Sequence, residues 1–162
     1  MNFSFTIKII SFAIIVIIFQ ILIPVINING LEMTPDILII FLAYLGYYYG
    51  RWETIIMGFF LGLIQDLATQ YELIGIMAFV KSLSGYGLGT MALYRNIWHR
   101  NFRIFFIFFI FLLHFFMYQY IKLNGTTISN LLFLKIIIVQ TILCFLIMII
   151  FDKSIMKNGL ST

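Results

Sequence analysis

Residues 58–89 read GFFLGLIQDLATQYELIGIMAFVKSLSGYGLG, two apolar runs separated by a short polar patch. Each run carries two glycines and one charge at intervals of four residues, which are Gly58, Gly62 and Asp66 in the first and Lys81, Gly85 and Gly89 in the second. On a helix, this spacing places all three positions on one face. In lipid, small residues four apart let two helix backbones approach closely. The stretch therefore predicts a tight antiparallel helical hairpin.

The midpoint of the stretch, between Leu73 and Ile74, suggests a register for this hairpin. Folding there makes three facing pairs, which are Gly58 with Gly89, Gly62 with Gly85, and Asp66 with Lys81. A charge within a membrane usually faces the protein interior and has a partner. We therefore predict an intramembrane Asp66–Lys81 pair. The alternative is that the glycines pack while each charge reaches water or another neighbour.

The composition indicates that the solvent of this chain is lipid. Of its 162 residues, 63% are hydrophobic and 10% are charged, whereas a soluble domain has about 25% charged residues. A membrane-spanning helix needs about 20 mostly apolar residues, which leaves room for six segments. We predict an all-α integral membrane protein, a six-transmembrane-helix bundle in a single domain over residues 1–162. The expected helices cover about 9–26, 34–49, 54–67, 73–93, 102–121 and 128–151.

The distribution of basic residues predicts the orientation. With a cytoplasmic amino terminus, the basic residues on the cytoplasmic side are Lys8, Arg51, Arg95, Arg100, Arg103, Lys153 and Lys157. Lys122 then lies outside, while Lys81 and Lys135 lie within segments. Because lysine and arginine concentrate in short cytoplasmic loops, we expect both termini in the cytoplasm.

Segment two adds a third glycine pair, Gly46 and Gly50. Thr34 is a suitable N-cap for this segment, with Pro35 in the first turn and Asp36 at the positive end of the helix. The three pairs predict tight packing among segments two, three and four. Segments one, five and six are then freer to meet lipid or another protein.

Few residues are suited to catalysis or metal binding. Cys144 is the single cysteine, so a disulfide within the chain is impossible. His114 stands alone in segment five, and we expect a structural hydrogen bond for it. Ser82 and Ser84 have no base near them in sequence, and serine is common in membrane helix contacts. We predict no enzyme activity, no cofactor and no metal; the scattered basic residues also argue against nucleic acid as a partner.

A transport role would use Asp66 and Lys81 as a coupling or substrate site, since intramembrane charges are functional candidates. However, secondary transporters usually contain two matched halves, and six segments without an internal repeat do not supply them.

Four marks in order carry a family resemblance. They are Pro35-Asp36, Gly58-x-x-x-Gly62-x-x-x-Asp66, Leu73-Ile74-Gly75 and Gly85-Tyr86-x-x-Gly89. This order and spacing resembles MreD, the rod shape-determining membrane protein family of bacteria. The resemblance covers Pro35 to Gly89, about a third of the chain. Lys81 is not among the positions that the resemblance rests on, so the charge pair is predicted from spacing alone.

The resemblance implies a non-catalytic scaffold in the bacterial cytoplasmic membrane, within the cell-elongation complex. Such proteins support cell shape and side-wall peptidoglycan synthesis. The implied partners are MreC above all, then the MreB filament, the glycosyltransferase RodA, a transpeptidase and membrane lipid.

The rival interpretation is a vitamin-binding subunit of an energy-coupling-factor transporter, whose six-helix architecture this family is thought to share. Those subunits dock through alanines four apart on the first helix, whereas segment one contains only Ala13. They also hold their ligand with polar residues of the outer loops. The outer loops here are short, and the residues that would supply such contacts are Glu32, Asp36, Gln70 and Glu72.

Overall fold

The computed structural model describes residues 3–28, 31–69, 74–124 and 129–151. The predicted helical fold is confirmed over these residues. The helices are α1 (Phe3–Leu22), α2 (Ile37–Tyr48), α3 (Arg51–Thr69), α4 (Ile76–Leu93), α5 (Arg100–Lys122) and α6 (Asn130–Phe151). The residues of the sequence analysis that lie outside the described ranges are Gln70, Glu72, Leu73, Lys153 and Lys157.

The first helix is shorter than predicted, and a small β-hairpin follows it. α1 ends at Leu22 rather than near residue 26, because Pro24 has no N–H to donate and disfavours helix in the residue before it. The strands β1 (Ile26–Ile28) and β2 (Leu31–Met33) then pair antiparallel. A loop was predicted in this region, so the hairpin is a correction to a purely helical fold.

The start of α2 also differs from the prediction. The N-cap is Asp36 rather than Thr34, since the Asp36 carboxylate accepts hydrogen bonds from the backbone N–H groups of Leu38 at 3.0 Å and Ile39 at 3.3 Å. Pro35 consequently precedes the cap instead of occupying the first turn. At 1.5 Å per residue, the 12 residues of α2 span about 18 Å, less than the roughly 30 Å of a bilayer core.

The closest packing in the molecule is between α3 and α4, and α2 lies against α4. α5 and α6 complete the bundle beside them. α5 was expected to be free to meet lipid or another protein, but it buries one stripe, whose residues are Arg103, Ile107, Ile110, Phe111, His114, Phe115, Tyr118 and Gln119. Their spacing of three and four residues is that of one helix face, so α5 belongs to the core.

Three of the described helices are long and apolar enough to cross a membrane, namely Ile76–Leu93, Arg100–Lys122 and Asn130–Ile150. Shorter apolar stretches cover Ser11–Leu22 and Ile37–Tyr48. Large apolar side chains on the outside of the bundle, such as Ile15 at 61% exposure, suit a lipid solvent.

Candidate functional site

The glycines of the α3–α4 hairpin lie where the two helix backbones touch. A methyl group added at Gly62 would lie 2.3 Å from the Met77 carbonyl oxygen. A methyl group added at Gly58 would lie 2.6 Å from the Lys81 carbonyl oxygen. At Gly85 it would lie 2.6 Å from the Thr54 carbonyl oxygen, and at Gly89 it would lie 2.6 Å from the Arg51 Cα. Since a side chain larger than hydrogen does not fit at these positions, glycine is what permits the contact.

The other two candidate packing glycines behave differently from each other. Gly46 extends the contact to α2, because a methyl group there would lie 2.7 Å from the Leu88 carbonyl carbon. A methyl group at Gly50 would meet only the Glu53 carboxylate, at 3.2 Å. Gly50 instead supplies its carbonyl oxygen, 2.9 Å from the position of a methyl group on Gly89.

The register of the hairpin differs from the predicted one. Gly58 lies level with Lys81 instead of Gly89, a displacement of about two helical turns. The contacts of Gly62 with Met77 and of Gly85 with Thr54 show the same shift, and these pairs are symmetric about a point about four residues before the predicted midpoint.

Asp66 binds the start of α4. Its carboxylate accepts hydrogen bonds from the backbone N–H groups of Gly75 at 2.9 Å, Met77 at 3.2 Å and Ala78 at 3.2 Å. These donors have no partner within their own helix, and an acidic group is favourable at a helix N-terminus. Gly75 precedes the helix at φ 101°, a left-handed conformation that favours glycine. Asp66 is therefore a capping residue supplied by the neighbouring helix.

The predicted Asp66–Lys81 pair is wrong, because Lys81 has other partners. The Lys81 ammonium donates to the Asp36 carboxylate and to the Gln65 side-chain oxygen. Lys81 is 0% exposed and Asp36 2% exposed, so this ion pair is fully enclosed. Asp66 and Lys81 do lie on the facing sides of the hairpin, as their spacing predicted. The register shift, however, brings Asp66 to the start of α4 and leaves Lys81 beside Asp36 at the start of α2.

Two further helices contribute to this cluster. His114 of α5 places Nε2 3.4 Å from Asp36 Oδ2, without hydrogen-bond geometry, and its Nδ1 3.0 Å from Ser84 Oγ. Cys144 of α6 has its Sγ 3.3 Å from the backbone nitrogen of Asp36. We call this set the Lys81 cluster; its members are Asp36, Gln65, Lys81, Ser84, His114 and Cys144. It joins the five helices α2 to α6 at one point.

The order Ser84–His114–Asp36 resembles the connectivity of a hydrolase triad, but the hydrogen bonds run differently. The Ser84 hydroxyl donates its single proton to the Val80 carbonyl at 2.8 Å. His114 Nδ1 must then be the donor toward Ser84, and it is not placed to remove the serine proton. The Asp36 charge is matched by Lys81. The arrangement therefore suits a structural polar network.

A polar cavity of about 150 Å³ adjoins the cluster through Gln65. Its other polar residues include Gln20, Thr69, Lys122 and Gln140. Gln20 is held in place, since its amide donates to the Pro35 carbonyl at 3.0 Å and accepts from the Ile37 N–H at 2.6 Å. Among the described residues, no group of three or more metal-binding side chains converges here or elsewhere.

Tyr86, the remaining residue of the family marks, lies outside the cluster. Its ring is 51% exposed, and the Arg51 guanidinium lies 5.1 Å from the ring centroid. Tyr86 thus lies at the end of the bundle that carries the arginines, which is where aromatic residues of a membrane interface are found.

Sequence reasoning missed both partners of Lys81, which are Asp36 and Gln65. It also missed that His114 and Cys144 lie against Asp36. Tertiary packing brings these residues together, and the Asp36–Lys81 contact spans 45 residues. The available signal was that Asp36 and Asp66 are both acids next to apolar runs, which made either one a possible partner.

The helices and the enclosed ion cluster define a small multi-helix membrane protein with a charged interior. The chain belongs to the MreD family, because the family model described as rod shape-determining protein MreD matches residues 1–157. The resemblance predicted from Pro35 to Gly89 is thereby confirmed and extended to nearly the whole chain. Comparison with curated proteins and with solved structures gives no match.

Proposed function

We propose that this chain is a non-catalytic scaffold of the bacterial cell-elongation complex that supports cell shape and side-wall peptidoglycan synthesis by binding MreC. The observation that carries the proposal is the family match over residues 1–157, because it is a family of rod shape-determining proteins. MreB, RodA and a transpeptidase are the further partners of this proposal.

The proposed topology has six spans in the cytoplasmic membrane with both termini in the cytoplasm. This topology is supported by the alternating directions of successive helices and by the positions of the basic residues at their ends. Arg51, Arg95 and Arg103 lie at the ends of α3, α4 and α5 that meet on one side, whereas Lys122 lies at the opposite end of α5. An excess of arginine marks the cytoplasmic side.

The packing of the bundle supports a scaffold rather than a moving carrier. Backbone contacts at the hairpin glycines leave no room for the helices to slide, because packed interiors respond to displacement with overlap. The Lys81 cluster ties α2, α5 and α6 to that hairpin. A rigid body with apolar outer faces on α1 and α6 is suited to hold a membrane partner.

Depletion in the native bacterium tests the function. Rods are expected to become spheres, and a mild-detergent pull-down of the tagged chain is expected to recover MreC. A chain tagged at the same site but carrying Gly62→Leu serves as control, because it should fold poorly and recover less MreC. Unchanged cell shape together with the absence of MreC would reject the scaffold.

A vitamin-binding transporter subunit is the second candidate, and the polar cavity beside Gln65 favours it. A cavity of about 150 Å³ with three glutamines and Lys122 in its lining offers hydrogen bonds to a small polar ligand. This function predicts recovery of a transporter ATPase in the same pull-down. It also predicts lost vitamin uptake in depleted cells that keep their shape.

A further inference from the structure

Two arginines converge on one tyrosine at the end of the bundle where α2 ends and α5 begins. The guanidinium carbon of Arg95 lies 5.7 Å from the centroid of the Tyr47 ring, and that of Arg103 lies 5.5 Å from it. Arg103 Nη1 also donates to the Tyr47 hydroxyl at 3.1 Å. Three separate parts of the chain, α2, the α4–α5 connection and α5, therefore bring two positive charges to a single aromatic ring.

Arg103 is buried and has no counterion among the residues that the structure describes. It is 5% exposed, and the ion pairs among the described residues are those of Lys81 and His114 with Asp36. A buried charge is costly unless it is paired and hydrogen-bonded. One phenol oxygen and one aromatic face compensate a guanidinium only in part. The site thus has an excess of positive charge that an anion would balance.

The position of Arg103 in its helix adds to this excess. It lies in the first turn of α5, where the helix dipole is positive and a cation is unfavourable. That turn contains no acidic residue, and the N-cap His99 makes no side-chain hydrogen bond to it. Free backbone N–H groups at a helix start bind phosphate readily. An anion placed here would interact with those groups as well as with the arginines.

The aromatic residues around the site locate it at the membrane surface. Trp98 stacks on Tyr94 with ring centroids 5.1 Å apart and meets Phe102 edge-on at 4.9 Å. Tryptophan and tyrosine concentrate at the depth of the lipid headgroups. At that depth, the abundant anion is the phosphate of a phospholipid.

We propose that Tyr47, Arg95 and Arg103 form a binding site for the phosphate of an anionic phospholipid headgroup. The planar guanidinium fork suits two phosphate oxygens at once, and the half-buried Tyr47 holds the fork of Arg103 in place. This site is independent of the scaffold function, since it requires only a membrane.

The test compares two single variants that remove the same charge from neighbouring exposed positions. Arg95→Gln removes a residue of the site, whereas Arg100→Gln removes an arginine that is exposed on the first turn of α5 and has no contact with Tyr47 in the described structure. The full chain is purified in mild detergent and stripped of lipid. Phosphatidylglycerol is then added while bound lipid is counted by native mass spectrometry and the thermal midpoint is recorded.

Arg95→Gln is expected to weaken phosphatidylglycerol binding by about tenfold, the effect of losing one charged hydrogen bond, and Arg100→Gln by less than about twofold. Tyr47→Phe keeps the ring but frees the Arg103 fork, so binding should fall by severalfold without loss of fold. Phosphatidylcholine should give a much smaller midpoint shift than phosphatidylglycerol.

Three results would overturn the proposal. Equal losses in Arg95→Gln and Arg100→Gln would indicate general surface attraction. A full midpoint shift with inorganic phosphate, to which lipid adds nothing, would indicate a soluble anion. No response of the original chain to phosphatidylglycerol, either in bound lipid or in midpoint, would indicate that the chain supplies its own counterion.

Discussion

Lys81 is the residue on which the interior of this protein depends. Its ammonium is completely enclosed and is neutralised by Asp36, a residue that also caps α2. Removing one member of a buried ion pair leaves an uncompensated charge, which typically costs about 3–5 kcal/mol. Removing both charges avoids that cost.

Lys81→Met alone is therefore expected to lower the free energy of unfolding by about 3–5 kcal/mol. The double variant Asp36→Asn with Lys81→Met should regain much of this loss, because asparagine still caps α2 while the buried charge is gone. Stability in mild detergent, followed through the loss of helical circular dichroism, provides the measurement.

Asp66→Asn combined with Lys81→Met is the matched control for that cycle. Asp66 does not contact Lys81, so this combination should recover nothing. If stability recovered in the double variant at Asp66 and Lys81 but not in the one at Asp36 and Lys81, the pairing predicted from the sequence would be right and the structure would be contradicted.

Asp66 has a separate role that its own variant can reveal. Asp66→Ala removes the acceptor for three N–H groups at the start of α4, and loss of a cap costs about 1–2 kcal/mol. The amides of Met77 and Ala78 are expected to exchange with solvent deuterium faster, while those in the middle of α4 change little. Uniformly faster exchange along α4 would argue against a capping role.

At the scale of single residues, the sequence indicated that Asp66 and Lys81 are interior charges but not which groups they contact. The direction of a side chain along a helix face follows from spacing alone. Its partner depends on the height at which two helices meet, and that height is a property of the elements.

Among the elements, the α3–α4 hairpin is the rigid unit, and its glycines explain the rigidity. The existence of a glycine-lined hairpin followed from the four-residue spacing. The register of the hairpin did not follow from this spacing, because nothing within an apolar run shows at which residue the helix ends. The hydrogen bonds of Asp66 to the start of α4 fix the height at which the two helices meet, and the facing pairs differ from the predicted ones accordingly.

Gly62→Ala tests the close contact within the hairpin. The added methyl group would lie 2.3 Å from the Met77 carbonyl oxygen and 2.5 Å from the Ala78 backbone, and neither can move without separating the helices. Overpacking of this kind typically costs about 1–3 kcal/mol, more than the higher helix propensity of alanine returns. The thermal midpoint in detergent should therefore fall.

Gly87→Ala is the control for this variant. Its methyl group would meet only the end of the Ile110 side chain, at 2.6 Å, which can rotate away. The same gain in helix propensity then applies without a backbone collision, so the midpoint should stay level or rise. An equal fall in both variants would contradict the close contact at Gly62.

At the scale of the whole molecule, composition and family marks were sufficient to recognise a helical membrane protein of the MreD family. They did not show the β-hairpin after α1, because three-residue strands are too short to produce a periodic pattern. They also did not show the buried stripe of α5, because phenylalanines on the remaining faces of that helix hide it in the sequence.

The link from Lys81 back to Asp36 has a consequence for how the protein is made. A lysine at the centre of a helix opposes membrane insertion by about 2.5–3.5 kcal/mol. Lys81 lies in the first half of α4, and α4 has the lowest mean hydropathy of the three candidate spans, 1.2. Its counterion lies 45 residues upstream and leaves the ribosome earlier. The growing chain thus presents an acidic acceptor before the base arrives, and we expect α4 to enter the bilayer together with the segments made before it rather than alone.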